Sequence, residues 1–223
     1  MNSIIFIATG HREHGLCNSD ELLSIIERIA PEIIFEEVPP AKFAAIYEGK
    51  CGDSLETIAV KKYLQKTSVI HIPVDLDVYE ETEAEFRQGV ATVHHLAYFR
   101  SSVYQDLNNK HICNAERLGF PYLNSNQCSS FFERKRLLER EALEGIGDNH
   151  LSEKYNSWLN FVDSRENEML RTIYNYSDLN KYETAILLVG AEHRKPIFDK
   201  IKRFENSTSQ KIEWIFDYFH SLH

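Results

Sequence analysis

Long apolar runs are missing from this chain. No stretch approaches the ~20 consecutive apolar residues of a membrane-spanning helix, which argues against a membrane partner. The opening MNSIIFIATG has neither a basic flank nor a long enough apolar run for a secretory signal, so a first strand is expected there. Paired cysteines are missing too. Cys17, Cys51, Cys113 and Cys128 form no CxxC motif, which leaves zinc–thiolate and dithiol chemistry unsupported. Reduced thiols in a cytoplasmic protein are the expectation. There is no basic excess: 34 acidic against 25 basic residues give a net charge of −9, so no dedicated nucleic-acid surface is expected. Internal repeats and low-complexity segments are absent as well.

Apolar material for a core is plentiful. At 223 residues, 43% of them apolar, the chain suits a single domain spanning 1–223. Five short, β-branched-rich runs stand out: SIIFIAT (3–9), EIIFEEV (32–38), SVIHIPV (68–74), TAILLVG (184–190) and KIEWIFD (211–217). Their near-continuous apolar character suits strands buried on both faces of a parallel sheet. Amphipathic stretches follow the first two, SDELLSIIERIA with Ser19 as cap and SLETIAVKKYLQ with Ser54 as cap. The alternation predicts an α/β fold, a mainly parallel central sheet flanked by helices. From about 80 to 176 helical periodicity takes over, predicting a helical insertion between the third and fourth strands. Its aromatics Phe131, Phe132, Trp158 and Phe161 are expected to build a local core, and a homodimer through the insertion is left open. ERKRLLERE (133–141) alternates in sign and is expected to be a solvated face.

Ligands of open parallel sheets bind beyond the carboxyl ends of the strands. Here the first strand ends in Ala8-Thr9-Gly10-His11, the second in Phe35-Glu36-Glu37, the third in Val74-Asp75-Leu76-Asp77 and the fourth in Gly190-Ala191-Glu192-His193-Arg194. Each residue has an ordinary explanation taken singly. His11 or His193 can be satisfied by the fold, Asp75 can cap a helix, and Arg165 can make a surface ion pair. A carboxylate ending a buried strand is costly unless paired or metal-bound, which singles out Glu36. Glu37 should face the other way, so that one of the two is solvated. Gly190 is expected to supply a tight turn before His193, with Glu192 solvated.

Together, His11, Glu36 and His193 form a hydrolytic kit. They would either ligate a divalent ion such as zinc that activates water, or act as a histidine base oriented by a carboxylate. Asp75 would support them, while Arg165 and Arg194 would bind an anionic small-molecule or peptide substrate or a developing oxyanion. A non-catalytic binding module using the same crevice is the second reading. His11 and His14 in HREH make only a weak zinc motif. Asp77 is a lesser candidate than Asp75, and His94, His95, His220 and His223 have no evident companions.

These positions resemble the superfamily of TraB/PrgY, Tiki and GumN-like proteins and, more distantly, the erythromycin esterases. That signature is a first strand ending in GxxH, a second ending in a glutamate, a late helix with an arginine and a methionine, and a penultimate strand ending in another GxxH. Ala8-Thr9-Gly10-His11, Glu36, Arg165 with Met169, and Gly190-Ala191-Glu192-His193 stand in those places, with Ala8 replacing the first glycine. The resemblance implies an α/β fold with a helical insertion and a hydrolytic site. Tiki-type members imply a metal-dependent protease in which His11, Glu36 and His193 would hold manganese or cobalt. Erythromycin-esterase members imply a metal-independent hydrolase with a histidine base.

Overall fold

A computed structural model describes residues 1–77, 80–207 and 211–219; His220 and His223 lie outside them. The strands are β1 (Asn2–Thr9), β2 (Ile33–Glu36), β3 (Ile70–Pro73), β4 (Thr184–Gly190) and β5 (Ile212–Ile215). They form one parallel sheet in the order β3-β2-β4-β1-β5. All five expected runs are strands, and β1 and β4 are almost wholly buried. β3 is an edge and only partly covered, with Ile70 exposed, so burial on both faces holds for the inner strands alone.

Helices α1 (Ser19–Ile29), α2 (Pro40–Tyr47) and α3 (Leu55–Leu64) fill the connections from β1 to β2 and from β2 to β3. Asn18, rather than Ser19, caps α1 by accepting from the Asp20 and Glu21 N–H groups; the Ser19 hydroxyl donates to Glu13 instead. Ser54 caps α3 as expected, in a capping box with Thr57. The long return from β3 to β4 carries the insertion: α4 (Glu80–Arg100), α5 (Ser102–Leu118), α6 (Phe120–Leu123), α7 (Asn126–Glu144) and α8 (Asn149–Leu179). A 3-10 turn (Ala191–His193) leads from β4 into α9 (Arg194–Ser207).

Connections from β1 and β2 run towards β3, whereas those from β3 and β4 run the opposite way. Right-handed crossovers then put the two sets of helices on opposite faces. Accordingly α1 packs on α3, and α8 packs on α9. The chain leaves neighbouring strands β1 and β4 towards opposite faces, which opens a crevice at their carboxyl ends.

The main core lies around the sheet, with smaller clusters in the insertion around Val93, Leu143 and Tyr155 and around Ala97, Tyr104 and Leu138. The segment 133–141 is not wholly a solvated face. Glu139 within it is 1% exposed, accepts from the Tyr104 and Tyr155 hydroxyls and faces His94 at 3.1 Å. Burial alone would raise its pKa, but His94 and Lys135 hold it down at about 2. His94 thus has a partner that sequence inspection did not supply.

Candidate active site

Parity along β2 decides which glutamate reaches the crevice. Phe35 packs edge-on against Tyr176 of α8, so odd positions face the insertion. The Glu37 N–H still donates to Leu188 O at 3.1 Å, which carries the alternation one residue past the strand. Glu37 therefore points at α8 and Glu36 at the other face. There Glu36, 1% exposed, accepts from the Tyr47 hydroxyl and meets His71 Nδ1 at 2.9 Å. The expected assignment is reversed: Glu37 occupies the site, Glu36 belongs to a separate buried cluster, and neither is simply solvated.

Glu37 is the hub. Oε1 accepts from Arg165 Nη2 at 2.5 Å and lies 3.4 Å from His193 Nε2. Oε2 accepts from the Gly190 N–H at 2.6 Å and lies 3.5 Å from His11 Nε2. Asp75 grips Arg165 in a two-pronged pair, with Nε to Oδ1 at 2.9 Å and Nη2 to Oδ2 at 2.7 Å. The Glu37 charge and then this pairing raise the Arg165 pKa despite its burial. Burial would also push Glu37 up, but His11, His193 and Arg165 hold it well below the usual carboxylate range.

Each histidine has a second carboxylate behind it. His11 Nδ1 lies 3.1 Å from Glu56 Oε1, and the same oxygen accepts from the His11 N–H and the Thr9 hydroxyl. His193 Nδ1 lies 2.8 Å from Glu166 Oε1, whose other oxygen accepts from Lys200 at 2.7 Å. The exposures differ: the His11 side chain is 48% exposed and that of His193 is 0% exposed. His193 Nε2, directed at Glu37, is close enough for ion pairing but is not aligned as a hydrogen bond. The charge of Glu37, reinforced by Glu56, lifts the His11 pKa to about 9. Burial would lower the His193 pKa, yet Glu37 and Glu166 lift it to about 10.

Gly190 does not supply a turn through an unusual backbone. Its φ is −54°, open to any residue. A Cβ there would come within 2.6 Å of His11 Nε2, so the glycine leaves room for the imidazole. The left-handed residue is His11 itself, at φ 57°.

The crevice above these groups has a volume of about 450 Å³. His11, Glu37, Asp75, Arg165 and Glu192 line it on the sheet side, with Phe86, Trp158 and Phe161 from the insertion opposite. Trp158 and Phe161 thus wall the crevice as well as packing locally, and Glu192 contributes to its lining. Arg194 does not reach it: the guanidinium donates to Phe216 O and stacks over that ring. Asp77 accepts from the Ala41 N–H at the start of α2. His14 sits in a bridge with Cys17 rather than on a helix with His11.

The metal set implied by the resemblance, His11, Glu36 and His193, is not assembled, because Glu36 is on the other face. Glu37 stands in its place, between His11 Nε2 and His193 Nε2, with one oxygen also accepting from Arg165 and the other from the Gly190 N–H. Among the described residues, no group of three or more His, Cys, Asp or Glu is arranged to hold a metal ion. No helix among them is long and apolar enough to cross a membrane, and Cys17, Cys51, Cys113 and Cys128 are all free thiols. No family model, curated protein or solved structure matches the chain.

Proposed function

We propose that this protein is a metal-independent hydrolase of an ester or amide bond in a small molecule or peptide, with His11 as general base and Glu56 as its orienting carboxylate. The observation that carries this reading is the His11–Glu56 pair. The ring lies at the crevice with Nδ1 against a buried carboxylate, which leaves Nε2 as the atom able to take a proton. In its neutral form Nε2 removes a proton from water while the water oxygen bonds to the substrate carbonyl carbon. As the carbon–oxygen or carbon–nitrogen bond breaks, that proton passes to the leaving group. Arg165, held between Glu37 and Asp75, places fixed positive charge near the developing oxyanion. Buried His193 is a positioning residue that fixes Glu37 from below. A distant relationship to the TraB and Tiki proteins is part of the same proposal. It is supported by His11, a β2 glutamate, Arg165 and His193 meeting in one place. The thiols and acidic charge support a cytoplasmic location without a nucleic-acid partner.

The test is hydrolysis of a panel of chromogenic esters and amides after dialysis against a chelator. Expected are chelator-insensitive turnover, a rate rising about tenfold per pH unit up to about pH 9, and a loss of roughly 100-fold or more in His11→Gln. Undiminished activity in His11→Gln, or loss of activity on chelation, would overturn the reading.

One observation favours a second reading. His11 is lifted to about 9 and hence charged at neutral pH, which suits retention of an anionic ligand without turnover. Calorimetry with carboxylate and phosphate ligands would then show tight binding alongside a silent hydrolysis panel.

A further inference from the structure

His11, Glu37 and Pro39 line a second, smaller cavity of about 180 Å³ as well as the main crevice. None of the residues lining the small cavity is lysine or arginine, and three of them, Glu36, Glu37 and Glu56, carry carboxylate side chains with little exposure. Two of the three are fully engaged. Glu36 has Tyr47 and His71, and Glu37 has Arg165 and the Gly190 N–H. Glu56 differs. Its hydrogen bonds from Thr9 and from His11 fall on Oε1, and the Ser54 hydroxyl approaches the carboxylate and helps to keep its pKa low without an aligned bond to Oε2. Its Oε2 has no hydrogen-bond partner, although the residue is only 7% exposed. A buried, ionised carboxylate oxygen without a donor is disfavoured. Hydrogen bonding from His11 keeps Glu56 ionised despite a burial that would raise its pKa.

What would satisfy such an oxygen is a donor, and a positively charged one best, because charge-assisted hydrogen bonds are the stronger kind. The two cavities share His11, so a scissile carbonyl placed at Nε2 would have one substrate half on each side. The aromatic wall of Phe86, Trp158 and Phe161 fits the acyl half. We infer that the leaving group is a small alcohol or amine carrying a primary ammonium, which the cavity behind His11 receives at Glu56. The space equals roughly six water-sized volumes, enough for an aminoalkyl arm of about two to four carbons. This rests on the hydrolase reading, but ammonium binding can be measured without turnover.

Glu56 would then serve His11 through one oxygen and the ammonium through the other. The two positive charges compete for it, so bound ammonium must lower the His11 pKa, and protonation of His11 must weaken ammonium binding by the same factor. A purely structural Glu56 would show no such link.

The experiment is an NMR titration of the full chain with ethylammonium chloride, against ethanol in sodium chloride of equal ionic strength. Expected are saturable shifts at the Thr9, Glu56 and Thr57 amides with ethylammonium only, a measurable fall in the His11 imidazole pKa at saturation, and at least tenfold weaker binding in Glu56→Gln. Non-saturating changes, equal responses to ethanol, or binding undiminished in a folded Glu56→Gln would overturn the inference. If that variant fails to fold, the wild-type comparison and the His11 titration decide. A chain that binds ethylammonium but hydrolyses nothing loses the hydrolase reading alone. One that hydrolyses neutral esters and ignores ethylammonium loses only the ammonium subsite.

Discussion

Two small groups decide much about this site: the Cβ that Gly190 lacks and the Glu37 carboxylate that Glu36 cannot replace. Gly190→Ala keeps an allowed backbone and pushes the His11 ring off its place. We expect an unchanged fold by circular dichroism with turnover reduced about 100-fold, in line with the cost of small misplacements at a reacting centre; full activity would show that the ring position is immaterial. Glu37→Gln removes the charge that holds both imidazoles protonated. Their pKa values should fall from about 9 and about 10 towards 6.5, read by imidazole NMR, with a stability loss of about 3 kcal/mol. Unmoved histidine titrations would refute the hub role. At this scale the sequence was half legible. His11, Asp75 and His193 were recognisable from strand-end placement and Arg165 from the family resemblance, but the choice between adjacent glutamates depends on strand parity, which EE alone does not disclose. Glu56 and Glu166 were hidden for another reason: acids in the first turn of a helix or beside an arginine have routine explanations there.

At the level of elements, α8 and α9 are tied by a chain of buried charge. His193 meets Glu166, Glu166 accepts from Lys200, and Lys200 donates to Asp163 O at 2.8 Å. Both Glu166 and Lys200 are buried, so removing Lys200 leaves one oxygen of Glu166 without its charged partner and only His193 on the other. Lys200→Met is expected to cost about 3 kcal/mol in urea denaturation and to leave substrate KM nearly unchanged, because Lys200 acts behind the floor of the crevice. A variant as stable as wild type would mean that the network does not hold the two helices together. The insertion contributes differently: Trp158 and Phe161 on α8 give the crevice its aromatic wall. Their helix was legible in the 3.6-residue periodicity, but which side of it met the sheet was not.

For the molecule as a whole, the charge balance of the site sets a pH window. His11 and His193 have folded pKa values above the unfolded 6.5. Their stabilisation is therefore complete below about pH 6.5 and lost as pH rises through about 9 and then about 10. Glu37 has the opposite sign, stabilising above its unfolded pKa of about 4.3 and losing that contribution in acid. Urea midpoints should decline between pH 8 and 10, and a His193→Gln variant should show a shallower decline; a flat profile to pH 10 in wild type would contradict the assigned charges. The α/β class was the most legible feature of all, since buried β-branched runs and capped amphipathic stretches each force their own local structure. Strand order was not, because parallel neighbours are chosen by crossover direction and not by anything written in the strands.

That order has a consequence for the chain as it is made. β4 lies between β1 and β2 but is synthesised roughly 150 residues after β2. Until Thr184–Gly190 emerges, the facing edges of β1 and β2 lack their common partner. A nascent chain in that state carries two unpaired apolar edges, the kind that invite association with other chains. Insertion of the last inner strand closes that gap and, in the same event, brings Gly190 and His193 to Glu37. Aggregation resistance and a complete site therefore arrive together, once the helical insertion has been made.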